Sequence, residues 1–334
     1  MSNQSRLDEA LAAHQQAREI WTALYGPEHH RVATTWANIG IVQRKQGDNA
    51  AALASMQESL RIRELSLGPT HPRIAESVYN MGNVLQQQGK QEEALVLFER
   101  ALAIWREAYG PRHRSVAFAL NNIGSVHFAA EEYDQALDYY IQARDIWVEA
   151  LGAEHSEVSL ALNNIANVHF RRGEYEQALA AYGEAMAIFE KAKGPEHPDV
   201  GLVLGNIAEV HRERGDYDQA LAASTRTLEI LEKAHGPDHP NVGHARFTHG
   251  QILEARGDRA GAAENYATAL AIFDQREVDP QSRAELEFEF AKLERTRGNR
   301  DHANELAEAA RRRYQDLEDA EQLAVIDAWL GTAP

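Results

Sequence analysis

The sequence contains no cysteine, which excludes disulfides, thiol nucleophiles, iron–sulfur clusters and cysteine-bound zinc. Basic residues are scarce beside acidic ones. With 34 Lys and Arg against 51 Asp and Glu, the formal charge is −17, which repels phosphate backbones and argues against nucleic-acid binding. No apolar run approaches the roughly 20 residues of a membrane span. The opening residues Met1-Ser2-Asn3-Gln4-Ser5 lack the basic and apolar regions of a secretory signal. Sustained period-two alternation and Asn-Gly hairpin turns are missing as well, so strands are not expected. What remains is 44% apolar with a mean hydropathy of −0.51, the balance of a folded, soluble chain expected in the cytoplasm. Length alone suggests about two domains.

Glycine, at 22, and proline, at 10, are unremarkable in number, but their positions are not. Gly26, Gly68, Gly110, Gly152, Gly194 and Gly236 fall at intervals of 42, and His29, His71, His113, His155, His197 and His239 follow three residues behind. A second glycine column runs Gly47, Gly89, Gly173, Gly215 and Gly257, with Glu131 in the missing place. Ala52, Ala94, Ala136, Ala178, Ala220 and Ala262 form a further column. Such a period marks a repeat architecture. Each unit carries two helical segments; in the fourth, Val158, Leu162, Ile165, Ala166 and Val168 give an apolar stripe at helical spacing, and Gly173 ends it. A second helix follows, and Gly194-Pro195-Glu196-His197-Pro198 closes the unit. Small residues at Gly40, Gly82, Gly124, Ala166, Ala208 and Gly250 are expected where helices cross closely, with Phe98, Tyr140, Tyr182 and Tyr266 filling the spaces between.

The pattern Leu120, Ile123, Gly124, His127, Ala136, Tyr140, Ala143 resembles the tetratricopeptide repeat. Its 42-residue period, the Gly194-Pro195-Glu196-His197-Pro198 connector and Leu162-Asn163-Asn164-Ile165-Ala166 resemble the kinesin light chain type. The resemblance spans about residues 6–276. It implies an all-α, right-handed α-solenoid of helix–turn–helix units. No heptad segment precedes Arg6, so a kinesin subunit itself is not expected. The chain reads as a single solenoid: a lone helix over 6–25, six repeats over 27–276, a degenerate seventh pair over 277–315 and a capping helix over 316–334.

No nucleotide-, hydrolase- or metalloprotease-type motif is present, and no catalytic residue, cofactor or metal is expected. One connector histidine per layer cannot cluster around an ion, so those histidines are expected to fix turns by hydrogen bonds. His127, His169 and His211 are expected to pack in the first helices. Glu92-Glu93 and Glu131-Glu132 read as solvated helix starts. Trp21, Trp105 and Trp147 are expected to seal the connectors, and Arg311-Arg312-Arg313 to form a solvated helix end.

The trace of function lies on the first helix of each pair, which in this family lines the concave face. Asparagine is a poor helix former, yet Asn38, Asn80, Asn122, Asn164 and Asn206 occupy one mid-helix column. Asn83, Asn121, Asn163 and Asn167 flank it. An amide both donates and accepts, so such a ladder can grip the backbone of an extended peptide whatever its sequence. Tyr79, Phe118, Phe128, Phe170, Leu160 and Leu202 would then select side chains, and Arg44, Lys45, Arg171 and Arg212 would meet acidic ones. The bland alternative is that the asparagines bond the neighbouring repeat's backbone and stiffen the array. The expected function is a non-catalytic scaffold binding an extended segment of a protein partner. The alternative is a regulator whose superhelix changes shape on binding a peptide. No membrane or nucleic-acid partner is expected, and a monomer is slightly favoured.

Overall fold

The computed structural model describes residues 3–276 and 278–331. The expected start of the seventh pair at residue 277 and the last three residues of the cap lie outside them. The described residues form sixteen α-helices and no strand. They group into two compact units, one ending at Arg172 and the other beginning at Gly173.

The first unit holds α1 (Asn3–Tyr25), α2 (His30–Lys45), α3 (Asn49–Leu67), α4 (Pro72–Gln87), α5 (Gln91–Tyr109), α6 (Arg114–Ala129), α7 (Tyr133–Leu151) and α8 (Ser156–Arg171). The second holds α9 (Tyr175–Lys193), α10 (Pro198–Arg214), α11 (Tyr217–His235), α12 (Pro240–Arg256), α13 (Arg259–Gln275), α14 (Pro280–Thr296), α15 (Arg300–Asp316) and α16 (Ala320–Gly331). Each even-numbered helix from α2 to α14 packs on the helix that follows it or, for α8, on the one before.

The connector histidines are helix N-caps. His71 Nδ1 accepts the backbone N–H of Arg73 at 3.2 Å, and His29, His113, His155, His197 and His239 cap their helices in the same way. The residue two after each cap would otherwise leave its amide unpaired. The expected turn-fixing role is therefore a capping role, filled by an imidazole nitrogen that must stay unprotonated to accept. The preceding helices end on a glycine such as Gly110, at φ 85° and ψ 162°, a region open essentially to glycine alone. Glu131 takes the left-handed place of the missing second-column glycine, at φ 59°.

Close helix crossing explains the small first-helix column. A Cβ on Gly82 would lie 2.6 Å from the Phe98 ring, and one on Gly124 would lie 2.9 Å from Tyr140. Both rings are buried. The aromatic partner is thus pressed against bare backbone, a packing that any side chain would break.

Two expectations need correction. Trp105 and Trp147, expected at the connectors, make their ring contacts within a helix pair. Trp105 packs on Tyr79 and Trp147 on Phe118, with ring centroids 5.4 and 5.1 Å apart, so each joins the second helix to the first within a pair. Arg63 holds the same column in the first repeat, bonding the Arg73 carbonyl at 2.7 Å and Ser77 Oγ at 2.9 Å. Nor is Arg311-Arg312-Arg313 merely solvated. Arg313 Nε binds both carboxylate oxygens of buried Glu287, at 2.9 and 3.1 Å, and Arg311 binds Asp327 on the last helix. That helix covers the end of the second unit with Ile326 fully buried and Trp329 edge-on to Phe288.

Candidate functional site

In the first unit the even-numbered helices carry Asn38, Asn80, Asn122 and Asn164, all half-buried. The structure joins two of them to their neighbours. Asn122 Nδ2 on α6 donates to Asn83 Oδ1 on α4 at 2.6 Å, and Asn164 Nδ2 on α8 donates to Asn121 Oδ1 on α6 at 3.0 Å. The bonds are inter-repeat, as the bland alternative supposes, but the acceptor is a side-chain amide and not backbone. Each bond uses one N–H of the donor amide and one acceptor position of the other, out of two of each per amide. The amides are therefore held in a fixed orientation with hydrogen-bonding capacity beyond the staple itself.

Tyr79 completes this cluster. Its hydroxyl reaches Asn83 and Asn122, and burial pushes its pKa up to about 12. Its ring lies on Phe98 and Trp105. Phe118 is turned the same way, onto Trp147. Both rings belong to the interior of their helix pairs, so they support the face more than they project from it. Leu160, 46% exposed, is the apolar residue of α8 left open.

Of the cations of this face, Arg171 is engaged. Arg171 binds Glu131 at 3.2 Å and lies about 6 Å from the ring centres of Phe128 and Tyr133. Arg44 acts electrostatically on Tyr79. His127 stacks flat on Tyr139 at 5.2 Å and bonds Glu132 at 2.5 Å, while the buried Nδ1 of His211, in the same column, has no hydrogen-bond partner. Asn163, Asn167 and Phe170 are half-buried on α8, each with an interaction of its own.

The second unit presents a different surface. Asn206 on α10 continues the asparagine column, and Arg212 pairs with Glu213 at 2.7 Å and Glu209 at 3.8 Å. A cavity of about 250 Å³ opens between α10, α11 and α12, lined among others by Leu202, Gly205, Asn206, Glu209 and His244. Beyond it the face turns acidic. Although the side chain of Glu285 reaches water, the surrounding protein, then Glu289 and Glu209, hold its carboxyl above the ordinary range. Burial lowers His244, so its imidazole favours the neutral form.

The sequence reading did not single out this cavity. Its signal was Gly205, which follows Tyr79, Asn121 and Asn163 in a column of side chains. A break in a bulky column reads as noise until neighbouring helices show that nothing fills the space.

Among the described residues, no three His, Asp or Glu side chains converge as metal ligands. No described helix is long and apolar enough to cross a membrane.

Comparison with known proteins follows this geometry. No curated protein matches by sequence. Solved structures match by fold. BtubC (BKLC) from P. vanneervenii is 21% identical with a TM-score of 0.59, over 69% of this chain and 92% of that one. A putative kinesin light chain of Podosopora anserina with nearly identical TPR-like repeats is 21% identical with a TM-score of 0.52, over 61% and 97%. A Rap protein complexed with Competence and Sporulation Factor is 15% identical with a TM-score of 0.66, over 96% and 88%. At these identities the likeness is one of fold, a solenoid of helix pairs. The tetratricopeptide repeat profile matches residues 2–65, 31–107, 73–147, 115–191, 157–233 and 199–275 in overlapping windows. With six registers matched across most of its length, the chain belongs to the tetratricopeptide repeat family.

Proposed function

We propose that this protein is a non-catalytic scaffold whose first-helix face holds an extended segment of a partner protein. The observation that carries the reading is the asparagine column of the first unit. Four amides at one mid-helix position cost helix propensity, and Asn206 of the second unit makes a fifth. Two inter-repeat staples account for part of their bonding capacity and orient the rest. An extended segment presents backbone N–H and C=O groups in alternation, and pre-oriented amides satisfy both without ordering costs of their own. Asn38, Asn80, Asn122, Asn164 and Asn206, with Asn83, Asn121, Asn163 and Asn167, are the proposed backbone grips. Tyr79, Phe118, Phe128 and Phe170 shape the surface, and Arg44, Arg171 and Arg212 tune its charge. In this reading the protein acts in the cytoplasm, with a monomer slightly favoured.

Selection from a displayed random-peptide library tests it. Wild type should enrich binders, and Asn122→Ala with Asn164→Ala should weaken the best of them by about 1–3 kcal/mol, the scale of lost buried hydrogen bonds. Unchanged affinity with lowered stability would return the asparagines to a purely structural role. A second reading, a regulator that changes shape on binding, is favoured by the Rap protein whose structure was solved with a factor bound. It predicts ligand-dependent compaction in small-angle scattering; an unaltered profile at saturating ligand refutes it.

A further inference from the structure

Three columns supply the large side chains between the two helices of a pair. In repeat two they are Tyr79, Phe98 and Trp105, with the Tyr79 ring centre 5.6 Å from Phe98 and 5.4 Å from Trp105. Repeat three has Asn121, Tyr140 and Trp147, repeat four Asn163, Tyr182 and Phe189, and repeat six Phe247, Tyr266 and Phe273. Each of these holds at least two buried rings. In repeat one, buried Met56 and Arg63 take the last two columns. In repeat five the same columns read Gly205, Ser224 and Leu231. All three line the cavity of about 250 Å³ between α10, α11 and α12. The cavity therefore lies where the other aromatic repeats pack their rings.

Gly205 points the same way. Glycine weakens a mid-helix, and on the first helices of this chain it stands mostly where a ring lies on bare backbone. An added Cβ would come within 2.5–2.9 Å of an aromatic ring at Gly82, Gly124, Gly243 and Gly250. At Gly40 and Gly201 it would crowd Met56 and Ile230 instead. At Gly205 the nearest atom is Thr227 Cγ2 at 3.6 Å, an ordinary contact, and the backbone is helical. No described residue presses on this glycine.

The polar groups of the lining are largely served by the protein, so they call for no charged occupant. Ser224 Oγ bonds His249 at 2.9 Å, and Thr227 Oγ1 bonds the Ala223 carbonyl at 3.0 Å. Glu209 lies 3.8 Å from Arg212, and Asn206 and Glu209 each have interactions of their own. Burial lowers His244, so its imidazole favours the neutral form, and its ring lies 4.8 Å from that of Phe273. Leu202, 46% exposed, adds apolar surface to the lining. The volume lies below the range of about 300–1,000 Å³ usual for small-molecule sites and suits one side chain. A flat ring can lie on bare backbone, against a neutral imidazole and apolar carbon, without stripping water from an unpaired charge.

We propose that the cavity between α10, α11 and α12 receives an aromatic side chain of the partner's extended segment. Its ring lies on the backbone at Gly205 and takes the place that Tyr79, Phe98 and Trp105 fill in repeat two. The inference rests on the reading that this protein binds such segments, and it gives the second unit a side-chain preference that the amide ladder lacks.

The test uses the full chain and does not need the partner. Methyl NMR follows Leu202, Leu231, Ala245 and Thr227 during titration with the Nα-acetyl N-methylamides of phenylalanine, leucine and lysine. Saturable, ring-current shifts are expected with the phenylalanine probe. The leucine probe should bind at least about tenfold more weakly, and the lysine probe should cause no saturable shift. Gly205→Ala, whose Cβ has room in the free protein, should raise the thermal midpoint yet weaken the phenylalanine probe at least about tenfold. Gly205→Tyr, which restores the residue type of repeat two, should abolish that binding. Unchanged affinity in Gly205→Ala, a probe still bound by Gly205→Tyr, equal binding of the leucine or lysine probe, or no saturable shift with the phenylalanine probe each overturns the proposal. The peptide selection described above is read separately. Selected peptides that are lost on Asn122→Ala with Asn164→Ala but show no aromatic preference would leave the scaffold reading standing and this one refuted.

Discussion

The staple between Asn122 and Asn83 separates a structural from a binding role, because the two predict opposite results for one double substitution. Asn122→Ala removes a 2.6 Å hydrogen bond between α6 and α4. The net worth of such a bond is about 1 kcal/mol. Asn83 and the buried Tyr79 hydroxyl each lose a partner, but Asn83 is half-buried and water can reach it, so the added penalty sits at the low end of about 1–3 kcal/mol. Alanine returns about 0.5–0.7 kcal/mol of helix propensity. The single variant should therefore be about 1 kcal/mol less stable. Replacing both partners in a Tyr79→Phe background, Asn83→Leu with Asn122→Leu, strands neither amide nor hydroxyl and should restore stability to within about 0.5 kcal/mol of wild type. Peptide affinity should not follow. If the amides grip the ligand backbone, the double leucine variant binds worse than wild type despite its recovered stability. The assay pairs urea denaturation, followed by hydrogen exchange on α4 and α6, with fluorescence anisotropy of a selected peptide. Affinity that recovers together with stability would refute the reasoning and leave the column as a stiffener of the array.

Three further outcomes follow from the packing and charge. Gly82→Ala places a Cβ 2.6 Å from the buried Phe98 ring, and the overpacking penalty of about 1–3 kcal/mol should exceed the propensity gain of about 1, so the thermal midpoint falls; a rise would show that the ring yields freely. Arg313→Met leaves Glu287, 2% exposed, with Arg283 as its remaining cation, and should destabilise α14 and α15 by about 3 kcal/mol in hydrogen exchange; an effect below about 1 would mean the carboxylate finds water. Burial lowers the pKa of His239, His244 and His249 from the ordinary 6.5. The folded second unit thus prefers their neutral forms, so the stability they contribute is full above pH 6.5 and lost as pH falls below it. The neutral form of His239 is also the one whose Nδ1 accepts the Asn241 N–H to cap α12. Hydrogen exchange of α12 that is unchanged between pH 7.5 and about pH 5.5 would contradict this.

The repeat, the helix pairs and the caps were legible because each is set by residues close together in the chain. His71 caps a helix starting at the next residue, and Gly110 ends one that it follows directly. The pairing of small with large residues was legible too, since Gly82 and Phe98 lie sixteen positions apart in a unit that recurs six times. The terminal pair was harder to read. Glu287, Glu294 and Arg313 look like surface residues in a sequence of low apolar content, and only their placement between packed helices makes Glu287 and Glu294 buried ion-pair partners.

By itself the sequence determined an all-helical repeat with a period of 42, a column of asparagines on the first helices and an acidic surplus. Those are properties of spacing and composition, which local geometry converts into helices and faces without further information. Only the tertiary structure decided what each face does with its residues. The direction of the staples, Asn122 to Asn83 and Asn164 to Asn121, depends on how residues 39 and 43 positions apart come into register between repeats. The turning of Tyr79 and Phe118 onto Trp105 and Trp147 depends on side-chain packing across a helix pair. The open space at Gly205 depends on three separate reductions meeting at one point, and a cavity is a property of the atoms around it, which no single residue announces.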